Sequence, residues 1–475
     1  MQPWIKKTLL ALGVVLLGGL IAAGWYLSNT LPIGTGHVAK TICSNAFIAQ
    51  RPPAAVFEED IAPVHFLFAI TGYDLDERQK SVTATSFGFA RTKAIFREGC
   101  GCTVVKGTTE AELRRQTFMQ VPQQQADAAS KTDAPWPAGD QRPPDPLPAG
   151  VDVKRLNAAL EAAFAEPAAD HPRKTRAVVV VYAGKLIAER YAPGVSPTMP
   201  LLGWSMSKSV TNALVGVLVR QGKLHISRPA PVPAWQKEGD PRRTITIDQL
   251  LRMSSGLEFD ETYAPFADAV SMFYASYDFA AYASQKPLEA KPDTTWHYSS
   301  GTANIIARIV RRAAEEEYRS YYTFIHRELF DRIGMHSAVF EPDPSGTFVG
   351  SSYVFATARD WARFGLLYLQ DGVWEGERLL PEGWVTYSTT PTPPAPRGEY
   401  GALFWLNAGS ASNPANRRWP SIPRDAYSAE GFQEQRVIII PSRKLVLVRL
   451  GHCARRDAWD DEKFIADVLA ALPAN

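Results

Sequence analysis

The residues best placed to do chemistry are Ser205 and Lys208, within Ser205-Met206-Ser207-Lys208. They open a segment in which Met206, Val210, Leu214, Val217 and Leu218 recur at helical spacing, ending at Gln221-Gly222. Three positions apart on a first helical turn, the two side chains face the same way. A lysine partly buried beside a hydroxyl can lose its proton near neutral pH and take that of Ser205, while the positive helix end favours the alkoxide. On its own the pair is equally a capping serine followed by a solvated lysine. It is nevertheless the only S-x-x-K in the chain.

Two further elements keep it company. Trp296-His297-Tyr298-Ser299-Ser300-Gly301 precedes a helix expected over 303–312 and supplies a tyrosine and a serine on one turn. Ala429-Glu430-Gly431-Phe432-Gln433-Glu434-Gln435 runs into a strand expected over 436–440. Seen singly, Tyr298 is a core aromatic and Gly431 a strand bulge. Gly203-Trp204-Ser205-Met206-Ser207 nearly matches a G-x-S-x-G elbow, but Ser207 replaces the last glycine and no clear strand precedes it. The eight histidines show no zinc-binding spacing, so no metal site is expected.

With these three motifs in order, the chain resembles the serine β-lactamase and penicillin-binding-protein superfamily. The resemblance is strongest to its class C-like esterases and 6-aminohexanoate-dimer hydrolases, whose second motif often reads Y-S-S, as in Tyr298-Ser299-Ser300. Leu250-Leu251-Arg252-Met253-Ser254-Ser255-Gly256-Leu257 is similar to the family's L-L-x-H-T-S-G-L segment. Leu329 to Met335 and Ala356 to Phe364 resemble later family loops, and Thr357 with Asp360 forms a capping box. The resemblance covers about residues 151–475.

It implies a serine hydrolase without a cofactor, cleaving a small ester or amide substrate. Ser205 would be the acylated nucleophile, and Lys208 its base or the partner that holds Tyr298 as phenolate. Tyr298 would carry the proton to the leaving group and later activate water. The oxyanion would sit between the backbone N–H groups of Ser205 and Phe432, with Gly431 leaving room for substrate. Ser300 would contact substrate or Lys208. The alternative is a catalytically idle or peptidoglycan-directed protein of the cell envelope using the same cleft. Relatives acting on β-lactams or peptidoglycan usually place Lys or His where this chain has Ala429 and then Glu430. The acidic Glu430 is expected to repel a carboxylate-bearing substrate, although Arg436 could offset it. Glu434 stands where relatives usually have glycine.

The elements that must position these residues follow from periodicity. A helix with Leu156, Leu160, Ala163 and Phe164 behind Asp152 leads into strands over 177–182 and 186–191. Strands over 437–440 and 445–450 and a helix from about Asp460 to Leu472 mirror them at the far end. The expected fold is therefore α+β of the β-lactamase/transpeptidase-like kind: an antiparallel sheet built from both ends of the domain and flanked by helices, with a helical subdomain between. Ahead of it, residues 31–110 read as a small β-rich element, with two or three strands in 60–106 that include His65 to Ile70. Residues 111–150 read as a Pro/Gln/Ala-rich linker or surface strap.

Thr8 to Leu27 carries no charge over a length sufficient to cross a bilayer, after Lys6 and Lys7 and before Trp25 and Tyr26 at the far interface. Residues 1–30 thus read as a membrane anchor, with a cleaved signal peptide as the competing assignment, and the rest lies on the extracytoplasmic, periplasmic side. Cys43, Cys100, Cys102 and Cys453 would all be exported, where disulfides can form, and their pairing stays open. Across the 475 residues a net charge of +2 with no basic block excludes a nucleic-acid tail, and 45% hydrophobic with 21% charged residues is ordinary for a folded enzyme.

Overall fold

The computed structural model describes residues 2–116, 134–141, 147–166, 171–315 and 321–474. Ala177 to Val181 and Val437 to Ile440 are apolar at every position, a pattern that a strand buries only when both its faces are covered. Both belong to a six-stranded antiparallel sheet ordered Trp405–Leu406, Tyr427–Gly431, Gln435–Ile440, Leu445–Gly451, Thr175–Tyr182, Lys185–Tyr191. Strand alternation then sorts the side chains. Val179, Val181, Val437, Ile439, Val446 and Val448 join the larger core with the helices Ser207–Arg220 and Ala358–Leu369. Val178, Val180, Ile438, Ile440, Leu445 and Leu447 turn the other way, onto helices Val153–Phe164 and Asp461–Leu469. Those two helices are capped by Asp152 and Asp460, whose side chains accept from Arg155 N and Lys463 N. This is the expected α+β architecture, with the helical region between the two ends of the sheet.

The N-terminal apolar segment does not end near residue 30. One helix runs from Pro3 to Phe47, passing through Pro32. Its apolar stretch is exposed, whereas Val38, Ala39, Ile42 and Cys43 are buried against Val82, Ala84, Ala94 and Cys102. Those partners lie on a four-stranded antiparallel sheet, Gly72–Asp76, Ser81–Ser86, Ala90–Arg97 and Gly101–Val104, one strand more than the sequence suggested at most. His65 to Ile70 is not among them: Phe66–Ala69 is a helical turn. The Phe68 ring stacks on His37 of the long helix, a contact one face of a turn makes and two-residue alternation does not require.

Much of the expected linker lies outside the described residues. Its first part is instead a short helix, Glu110–Arg115, closed by a capping box between Thr109 and Glu112. Residues 134–141 form a strap held down by buried Trp136 and by Arg363, which donates to Pro137 O and Gly139 O.

Of the four cysteines, Cys43 and Cys102 form a disulfide, and the Cys100 and Cys453 thiols are buried. The bond ties the helix to its sheet across 59 residues. Loop-closure entropy then makes Cys43→Ala with Cys102→Ala expected to cost about 2–4 kcal/mol, read as an earlier urea transition of the N-terminal element. An unchanged midpoint would show the bond to be dispensable.

Candidate active site

A helix start must expose its first side chains to be useful, and the turn before Ser207–Arg220 does so by strained backbone. The two-residue strand Leu201–Leu202, paired with Phe355 and Ala356, leads into Gly203 and then Trp204, which has φ +47°. A bulky aromatic in that region is costly unless its surroundings hold it. Here the Trp204 ring packs on Phe432 and Tyr353. Ser205 follows on a 3-10 turn, so a short strand does precede the serine.

Lys208, fully buried one turn on, places Nζ 3.1 Å from each of three oxygens: Ser205 Oγ, Ser300 Oγ and Ser351 O. Burial lowers its pKa to about 8, while the Glu261 carboxylate opposes that shift. Glu261 accepts from Ser300 N and from Ser300 Oγ, at 2.7 and 2.5 Å. Ser300 thus bridges the lysine and a carboxylate. Burial raises the Glu261 pKa against the pull of Lys208 and the two Ser300 bonds.

Tyr298 is half-buried, hydrogen-bonded to Ser205, and lies with its ring under Lys208, whose Nζ is 4.6 Å from the ring centroid. Trp405 and Tyr400 pack on the same ring. Burial, reinforced by Tyr400 and Glu261, pushes the phenol well above its ordinary value, so it stays protonated at neutral pH.

The third motif is a hairpin. Tyr427–Gly431 pairs with Gln435–Ile440, Gly431 opposite Gln435, around Phe432 and the left-handed Gln433 and Glu434 at φ +62° and +65°. That conformation explains why glycine suits position 434. Gly431 was expected to leave room for substrate, but a Cβ there would lie 2.1 Å from Gly203 O. Its space is taken by the turn carrying Ser205, and the missing side chain is what lets the hairpin close on that turn. Phe432 remains 39% exposed at the tip.

Glu430 does not present a free negative charge. Its carboxylate accepts from Arg418 Nη1 and Ser428 Oγ and lies 3.7 Å from Arg436, while Glu434 and Asp461 also pair with Arg436. Three carboxylates share these two guanidinium groups, so Glu430 is tied into an ion-pair network and is not the free acid that the expected repulsion of anionic substrates requires. Glu430→Lys would set a third cation beside them. It is expected to cost about 3 kcal/mol of stability without any gain in turnover of nitrocefin, an anionic substrate. A stable variant with raised nitrocefin turnover would restore the original expectation.

Ser205, Glu261, Tyr263, Tyr298 and Phe432 line one open cleft of about 1070 Å³. So do Glu59, Pro63 and Val64. The N-terminal element, which the sequence placed outside the catalytic fold, is therefore a wall of the cleft. Asp60 locks it there by ion pairs to Arg51 and to Arg176 of the central sheet, and Lys40 does so by an ion pair to buried Glu341. Glu261, Ser351 and this wall escaped the sequence, because each reaches the site through tertiary packing and carries no motif. Among the described residues, no cluster of three or more His, Cys, Asp or Glu could hold a metal.

Comparison with known proteins agrees with this fold. A family model described as Beta-lactamase matches residues 160–471. A 6-aminohexanoate-dimer hydrolase of Paenarthrobacter ureafaciens is 25% identical over 327 residues, spanning 63% of this chain and 79% of that protein. Among solved structures, a family VIII carboxylesterase superposes with a TM-score of 0.51 at 14% identity, over 68% of this chain and 98% of its own. A penicillin-binding protein homologue from Caulobacter crescentus does so with a TM-score of 0.50 at 16% identity, over 68% and 99%. At such identities these structures share the fold alone.

Proposed function

Since the chain belongs to the beta-lactamase family, we propose that it is a serine hydrolase, cleaving an ester or amide of a small substrate through an acyl-enzyme on Ser205. The observation that carries this reading is the Lys208 amine at 3.1 Å from Ser205 Oγ, Ser300 Oγ and Ser351 O. A neutral amine has two N–H donors and one lone pair. The donors satisfy Ser300 Oγ and Ser351 O, leaving the lone pair for the Ser205 hydroxyl. With a pKa of about 8, a useful fraction of Lys208 is neutral near physiological pH.

As Ser205 attacks the carbonyl carbon, Lys208 takes its proton, and the N–H groups of Ser205 and Phe432 receive the oxyanion. Tyr298, a neutral phenol bonded to Ser205, relays a proton to the leaving group. Water then releases the acid from the acyl-enzyme by the reverse proton path. Ser300 and Glu261 position the amine. A fluorophosphonate probe tests the reading: one label per chain on Ser205 is expected, lost in Ser205→Ala. An unlabelled wild type would instead mark a catalytically idle cleft.

The exposed apolar stretch of the long N-terminal helix supports an anchor in a membrane. Lys6 and Lys7 before it, and the Cys43–Cys102 disulfide after it, fit a catalytic domain on the oxidising, extracytoplasmic side.

A further inference from the structure

If the helix spans a bilayer, its geometry fixes how far the body can stand from the lipid. Thr8 to Leu27 fills a hydrocarbon core of about 30 Å at 1.5 Å per residue. The same helix is already buried in the body at Leu31. Four residues of helix give a rise of about 6 Å, comparable with the depth of a headgroup layer. The underside of the body must therefore lie among the headgroups.

That underside is aromatic. Trp25 and Tyr26 pack against Phe266, each with ring centroids 5.4 Å apart. On the other side of the helix, Thr92 bonds Thr35, while Phe96 packs on Phe47. The strand Ala90–Arg97 thus runs alongside the helix with its low-numbered end towards the bilayer. Its hairpin tip carries Phe87 and Phe89, 58% and 69% exposed. Aromatic rings at this level suit the membrane interface.

Phe266 also stands on the loop that brings Glu261 and Tyr263 to the cleft. Tyr263 packs on Phe432, and Phe432 on Trp204, the residue before Ser205. Phe266 at the headgroup level therefore shares a loop with Tyr263, which is joined through Phe432 to Trp204 beside the expected nucleophile.

We propose that the body rests on the bilayer through Phe87, Phe89 and Phe266, and that the cleft takes its substrate from the lipid surface, as an acyl ester or amide with an apolar tail. This rests on the serine-hydrolase and anchor readings above. The reaction is hydrolysis: the acyl–oxygen or acyl–nitrogen bond breaks, and water supplies the hydroxyl of the released acid and the proton of the alcohol or amine.

The test uses the full chain in phosphatidylcholine nanodiscs, with p-nitrophenyl palmitate dissolved in the disc and p-nitrophenyl acetate in the water. In the double variant Phe87→Asp, Phe89→Asp, palmitate turnover is expected to fall at least about fivefold while acetate turnover stays within about twofold. Equal effects on both esters, no effect on palmitate, or a wild type that hydrolyses acetate but not palmitate would overturn the proposal. Depth is read without turnover, from a nitroxide on Phe266→Cys, the native free thiols being buried. The label is expected to be relaxed more by oxygen than by a water-soluble nickel chelate. The opposite order would remove the docking surface whatever the activity. A label in the headgroups with neither ester hydrolysed would uphold the surface and overturn the hydrolase reading, and with it the substrate.

Discussion

Ser205→Ala is expected to lower kcat/KM for a short p-nitrophenyl ester by about 10⁴-fold or more, leaving the circular dichroism spectrum and melting temperature near wild type. In the proposed mechanism this hydroxyl carries the acyl intermediate, so its loss removes a covalent step rather than a favourable contact. The fold should tolerate the change. Among the described residues Ser205 Oγ is hydrogen-bonded to Lys208 and Tyr298, and the amine keeps Ser300 Oγ and Ser351 O as acceptors. The turn itself is held elsewhere: by Trp204 on Phe432, by Gly203 O against Gly431, and by Ser207 Oγ donating to Trp204 O. Turnover near wild type in the alanine variant would sink the assignment. Turnover lost together with the fold would assign Ser205 a structural role instead.

How far the sequence reveals such a site depends on whether a residue's role is local. Ser205 and Lys208 sit three apart on one turn, and their juxtaposition is a property of helical geometry alone. The sheet was legible for a similar reason: unbroken runs such as Val178 to Val181 must be covered on both faces, and antiparallel neighbours from the two ends of the domain supply the partners. Gly431 was legible as a close approach but not as to what approaches. Only the packed structure puts Gly203 O in that space.

Charge balance was the least legible feature. In the sequence Glu430 has Arg436 nearby to offset it, but not Arg418 or Asp461, which lie further away along the chain and yet join its network. The N-terminal wall was hidden likewise, since Asp60–Arg176 and Lys40–Glu341 pair residues across long stretches of chain. A single sequence carries helix and strand periods, caps and turns. It does not carry which buried charges will find each other.

Lys208 gives the second large effect, and its sign can be worked out. Burial destabilises the charged amine, so the pKa falls from 10.5 to about 8 and the neutral base becomes the major form above that pH. If neutral Lys208 takes the Ser205 proton, kcat/KM should climb about tenfold per pH unit on the acid side and level off above an apparent pKa near 8. Lys208→Met is expected to lose about 10³-fold or more at the plateau. Lys208→Arg should lose as much, since a guanidinium keeps its proton at any accessible pH. A role as a mere cation would instead let arginine retain much of the activity, and the acid limb would vanish. Glu261→Gln separates the two further. The Glu261 charge raises the Lys208 pKa, so its removal should move the acid limb to lower pH while the amide still accepts from Ser300. An acid limb that stays in place in Glu261→Gln, in a variant that still folds, would mean that the titrating group is not Lys208.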